Sequence, residues 1–142
     1  MALWIQISAG SNEPIYMQIV SQISEAIAKG EISVGQKLPA MRKLAAELVI
    51  NPNTVARAYS ELEQAGLITT KTGSGTFVND PKLRTLDAAN INILAERMDS
   101  IVARGINLGI NAPDLAAMFR GRVDRFINKS QKRENKNERD ST

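Results

Sequence analysis

Residues 38–78, LPAMRKLAAELVINPNTVARAYSELEQAGLITTKTGSGTFV, decide the fold. Pro39 holds Leu38 in extended geometry and opens a segment in which Met41, Leu44, Ala45 and Leu48 recur at helical spacing, so one face is expected to be buried. Val49 and Ile50 lead to Asn51, a favoured N-cap side chain, and then to Pro52, whose missing N–H is harmless at the first helical position. At about 100° per residue, Val55, Ala58, Tyr59 and Leu62 share one side of this second helix, and Asn53, Arg57, Ser60 and Gln64 share the other. Gly66 suits the left-handed position that ends a helix, and LITTK and TFV are strand-like runs around a TGSG tip. Two short helices, a turn and a glycine-tipped hairpin make a winged helix-turn-helix.

In that architecture the second helix enters the major groove, where Asn53 and Arg57, four residues apart on its polar face, reach base edges or phosphates. A merely solvated helix carries similar polarity. The flanking helix and the wing are what favour the groove. Arg42, early in the preceding helix, is a candidate phosphate contact, and Lys71 with the backbone N–H groups near Thr72 and Gly73 is a candidate for a neighbouring phosphate.

A wider segment, from Pro14 to Val78, resembles the DNA-binding domain of GntR-family bacterial transcriptional regulators. The resemblance is carried, in order, by PIYMQI, GEISVGQKLP, the arginine of LPAMR, NPNTV, AYSELEQAGLI and GSGTFV. It implies that Arg42, the residues Asn51, Pro52, Asn53 and Thr54, and the wing tip at Thr72 and Gly73 lie at DNA. Arg57 rests on the helical-face argument alone. Several family members have serine where Ala40 stands and many have arginine where Pro52 stands, so contacts made by those side chains are absent here. NPNTV is similar to the YtrA-type subfamily, whose members carry a short two-helix C-terminal segment. That likeness implies a homodimer on an inverted-repeat operator of double-stranded DNA, usually a repressor and often one governing transporter genes. A small-molecule effector that prefers one dimer arrangement fits such a design, and the sequence names none.

Upstream, ALWIQI alternates like a short strand, and Ile15, Ile19, Ile23 and Ile27 form a ladder on a helix expected over 14–29 and closed by Gly30. Trp4 and Tyr16 are read as covering the core. The GEISVGQKLP link, with two glycines and a proline, reads as a tight connection between helices.

The 142 residues include no cysteine and no histidine, which removes disulfides, thiolate metal sites and imidazole acid–base chemistry. With no glycine-rich strand-to-helix phosphate loop either, neither an enzyme nor a cofactor is expected. No stretch reaches the roughly 18 apolar residues of a membrane span, and the start lacks the pattern of a signal peptide, so a cytoplasmic location is expected. The net charge of +3 is unevenly placed: residues 1–80 hold six Lys+Arg against seven Asp+Glu, and 81–142 hold twelve against eight. Attraction to DNA must therefore be local, at Arg42, Lys43, Arg57 and Lys71, with Glu61 and Glu63 opposing it.

The fold class expected is mainly α with a small β wing: a winged helix-turn-helix over 1–80 and a two-helix dimerisation segment over 81–128. Asn79, Asp80 and Pro81 mark the boundary. Beyond it Leu83, Leu86, Ile91, Leu94, Met98, Ile101 and Val102 suit a helix of about 20 residues ended by Gly105 or Gly109. Asn111, Pro113 and Asp114 open another that carries Leu115, Met118, Phe119, Val123, Phe126 and Ile127. Two helices cannot bury both stripes between them, which favours pairing with a second copy over an intrachain hairpin laid on the reader domain. Residues 129–142 are polar and of mixed charge, and are expected to be disordered or a frayed helix end. An alternative function is a winged-helix module that binds another protein.

Overall fold

The computed structural model describes residues 5–80 and 87–141. The order of elements is α1 (Ile15–Ala28), β1 (Lys37–Leu38), α2 (Met41–Leu48), α3 (Pro52–Gln64), β2 (Ile68–Lys71), β3 (Gly75–Val78), α4 (Ala88–Asn107) and α5 (Ala112–Asp140). The chain divides into two compact units, Met1–Leu83 and Arg84–Thr142.

The first unit has one core. Ile19 and Ile23 of α1, Leu44 of α2, the inner face of α3 and Ile68 of β2 are buried in it, while Ile27 packs against its edge and Ile15, at the head of the ladder, is exposed. The sheet order is β1-β3-β2, all antiparallel, with Lys71 opposite Gly75 across the hairpin and Lys37 opposite Phe77. Sequence reading of the GEISVGQKLP link missed β1, because a two-residue strand shows no alternation.

The expected strand at ALWIQI is not formed over its described part. Residues 5–8 have no strand partner; two glutamine side chains stand in for one. Gln22 accepts from the Gln6 N–H at 3.0 Å and donates to the Gln6 carbonyl at 2.8 Å. Gln18 accepts from the Ser8 N–H at 2.8 Å and donates to the carbonyls of Ser8 and Glu13. Residues 6 and 8 share one edge of an extended chain, and positions 18 and 22 lie one helical turn apart, so the two amides match the period of the backbone. Gln18 is buried without an orphaned polar atom for this reason. Trp4 lies outside the described residues.

The helices α1, α3 and α4 each end on a glycine with positive φ, at Gly30, Gly66 and Gly109. The helix α2 ends instead on Val49, at φ +55°, with Val49 N–H donating to Ala46 and Ile50 N–H to Ala45 in the same Schellman pattern. A β-branched residue in the left-handed region is strained by about 1–3 kcal/mol. Val49 is 88% exposed, so no packing offsets that strain. Val49→Gly is therefore expected to stabilise the fold by about 0.5–1 kcal/mol after the greater chain entropy of glycine is subtracted. Thermal melting checks this, and an unchanged or lower midpoint would refute it.

In the second unit Asp87 caps α4, its carboxylate accepting from the Ala89 N–H at 2.9 Å, and Gly109 ends the helix. Gly105 is interior: an ideal Cβ there would stand 2.7 Å from Leu115 Cδ1, so the glycine admits α5 at close range. Asn111 starts α5, accepting from the Asp114 N–H at 2.9 Å. Leu83 and Leu86 lie outside the described residues. The helix α5 continues through residue 129 to Asp140, so position 128 falls inside a helix. Once a turn is nucleated, each further residue adds a hydrogen bond, and the Lys, Gln, Arg and Glu of this stretch are good helix formers.

Candidate nucleic-acid interface

The turn between α2 and α3 aims the second helix. Asn51 Oδ1 accepts from the Asn53 N–H at 2.8 Å, Pro52 takes the first helical position, and the Thr54 N–H donates to the Asn51 carbonyl at 3.0 Å. The Asn51 oxygen is thus occupied by the cap, whereas the exposed Asn53 joins that cap through its backbone alone. Neither α2 nor α3 has an acidic residue in its first turn, so the positive end of each helix dipole is unopposed from within the helix.

The periodicity of α3 is realised. Val55, Ala58, Tyr59 and Leu62 are buried, while Asn53, Arg57, Ser60 and Gln64 are exposed. The Tyr59 hydroxyl donates to the Pro39 carbonyl at 2.8 Å and so ties α3 to the entry of α2. Burial raises the pKa of that phenol, which keeps the donor protonated. Arg57 Cζ lies 3.8 Å from the centroid of the Tyr16 ring. A guanidinium held over an aromatic face gains cation–π attraction and keeps its N–H donors available for a phosphate or base edge. Tyr16 is half-buried against the core as expected, and the platform it gives Arg57 is an addition that no spacing in the sequence reveals.

On the wing, the Ser74 N–H donates to the Lys71 carbonyl at 2.9 Å and Gly73 has φ +81°, the positive angle that a type II turn requires at its third residue. Thr72, Gly73 and Ser74 are all exposed. Lys71 Nζ lies 5.3 Å from the Phe77 ring centroid. Lys37 of β1 is a cation that sequence reading missed. Its side chain runs over Gly75, where an ideal Cβ would meet Lys37 Cε, so the wing glycine makes room for a second lysine beside Lys71. Glu63, one of the two opposing carboxylates, accepts from the Thr70 N–H at 3.3 Å and is thereby engaged with β2. Arg42 is exposed on the first turn of α2. Arg42, Asn53, Arg57, Lys71, Thr72 and Gly73 are thus presented to solvent by α2, α3 and a hairpin packed around one core. Among the described residues no acidic cluster has the composition of a metal site.

A capped recognition helix with a polar outer face, a supporting helix and a short wing define a winged helix-turn-helix protein of the DNA-binding class. Comparison with known proteins refines the class. Residues 15–78 match the model of the bacterial regulatory proteins of the gntR family. The HTH-type transcriptional repressor YtrA of Bacillus subtilis (strain 168) is 37% identical over 111 residues, covering 78% of this chain and 85% of that protein. Among solved structures, a transcriptional antiterminator from Listeria monocytogenes EGD-e superposes with a TM-score of 0.79 at 29% identity, covering 89% of this chain and 93% of its own. YtrA from Sulfolobus acidocaldarius, a GntR-family transcription factor, gives 0.55 at 35% identity, covering 68% and 97%. The chain belongs to the GntR family and is a DNA-binding transcriptional regulator of the YtrA-like kind. Its relatives are regulators and not enzymes. Among the described residues no helix is long and apolar enough to cross a membrane.

Proposed function

We propose that the chain is a homodimeric repressor that reads an inverted-repeat operator through Asn53 and Arg57, with Arg42, Asn51, Pro52, Thr54 and the wing residues Lys71, Thr72 and Gly73 positioned at the phosphates. The observation that carries the dimer is the apolar surface left bare by the second unit. Leu94, Ile101 and Val102 of α4 and Met118, Phe119 and Val123 of α5 are all exposed, and an open groove of about 550 Å³ runs between the two helices. Exposed apolar surface this continuous marks an interaction site, and a two-fold pairing covers both stripes with one contact. Met98, Leu115 and Phe126 complete the proposed interface. Two recognition helices related by that axis would read two half-sites, which is why the operator is an inverted repeat. Repression and control of transporter genes follow from the likeness to YtrA-type regulators, and action in the cytoplasm follows from a chromosomal target.

Selection of bound sequences from random duplex DNA with the full-length protein, at two salt concentrations, tests the reading. An inverted repeat is expected to be enriched, with affinity falling steeply as salt rises. Salt-sensitive binding without enrichment would remove the operator from the proposal. Absence of binding would move the polar face of α3 to a protein partner.

A further inference from the structure

The helix α5 carries a second pattern, of which only Arg122 also lines the groove. Arg122, Arg125, Lys129, Lys132, Lys136 and Arg139 follow one another at intervals of three, four, three, four and three residues, and all six are exposed. On a helix such spacing forms a single stripe, here about 25 Å long at 1.5 Å per residue. Of the described acidic side chains from Asp124 onward, Asp124 and Glu138 lie more than about 100° round the helix from the stripe's centre, and Asp140 stands only at its end. The cations are therefore segregated and not interleaved with acids along that face.

The chemistry of the stripe selects its partner. A seam for a second copy at the same spacing requires apolar residues, and two such cationic rows repel one another. A membrane-surface helix requires an apolar face beneath the charges, and residues 128–140, NKSQKRENKNERD, contain no apolar side chain. Duplex DNA asks only for regularly placed cations, since each strand presents a phosphate about every 3.4 Å. We propose that the basic stripe of α5 is a second, sequence-independent contact for the phosphate backbone of duplex DNA. The proposal rests on the chain being a DNA-binding regulator, and it does not require the inverted-repeat reading to hold.

The test uses full-length protein with Lys129→Gln, Lys132→Gln and Lys136→Gln combined, because glutamine keeps helix propensity and removes only charge. Binding to a long duplex of random sequence is followed across salt concentrations. Loss of three phosphate contacts is expected to flatten the log–log salt slope by up to about 2.7 and to weaken binding roughly tenfold to a hundredfold near physiological salt. The sequence enriched by selection is expected to stay the same. A further variant restores the three lost charges off the stripe by adding Asp124→Asn, Gln131→Lys and Glu138→Gln, all more than about 100° from its centre, and it is expected to leave the slope flattened. An unchanged slope in the first variant overturns the proposal, as does full recovery in the second, which would assign the effect to net charge alone. Retention of the wild-type DNA slope together with pelleting on acidic-phospholipid vesicles would also overturn it, in favour of a membrane surface. Failure of the operator reading would appear separately, as absence of an enriched sequence in the unmutated protein.

Discussion

With Asn53→Ala and Arg57→Ala combined, the affinity for the operator obtained by selection is expected to fall by about a hundredfold to ten-thousandfold, while binding to random duplex falls far less. Each side chain that makes a good contact to a base edge contributes about 1–3 kcal/mol of discrimination, and the two neighbours on one helix face are coupled, so their sum sets only the scale of the loss. The folded state should survive. The cap of α3 is made by Asn51 to the Asn53 backbone N–H, which alanine retains, and alanine is the best helix former. Loss of Arg57 uncovers the Tyr16 ring and removes an attraction of about 0.5–1 kcal/mol, a small drop in the melting midpoint. Asn51→Ala is the contrasting substitution, because it removes the cap and so combines weaker binding with about 0.5–2 kcal/mol of lost stability. Titration against operator and random duplex, with melting curves for each variant, separates these outcomes. Equal losses on both DNAs would make Asn53 and Arg57 phosphate contacts and move base readout elsewhere.

What could be read in the sequence, and what could not, divides along a physical line. Asn51-Pro52, the Ile19–Ile23 pair and the alternation of buried and exposed residues on α3 act through local geometry, and their consequences follow from spacing. The platform under Arg57 depends on α1 packing against α3, a contact between positions 16 and 57 that no local rule encodes. The Gln18 and Gln22 amides mislead in the same way: residues 5–8 have the alternation of a strand, but the hydrogen bonds they need come from a helix. Lys37 joins the wing only because β1 pairs with β3, across a span that contains two helices. Val49 is the opposite case, since the sequence places an unfavourable residue where three other helices place glycine. The polar end of α5 shows what composition leaves out: composition measures the lack of a core to pack against, whereas a helix already nucleated by Ala112–Ile127 needs no core to propagate.

The other large effect is expected at Ile101→Asp, which should convert the proposed dimer to monomers without unfolding either unit. Ile101 is 65% exposed on α4 and borders the groove with α5, so in an isolated chain the carboxylate remains in water and the substitution costs almost nothing. In a two-fold interface the position is buried twice, once from each copy, and an unpaired charge at each site costs at least about 3 kcal/mol. The combined penalty of about 6 kcal/mol corresponds to more than four orders of magnitude in the dimer dissociation constant, enough to abolish a micromolar dimer and to weaken a nanomolar one to roughly tens of micromolar. Sedimentation or light scattering reads the change directly, and the melting of the first unit should be unaffected. The consequence for DNA follows from linkage. Two half-sites joined through one dimer benefit from the effective concentration of the second reader, whereas monomers must bind each half-site separately. Affinity for the full repeat should therefore collapse toward that for a single half-site, while affinity for the half-site itself is unchanged. If Ile101→Asp remains dimeric, the exposed faces of α4 and α5 are not the interface, and the spacing of the two recognition helices must be set by another surface.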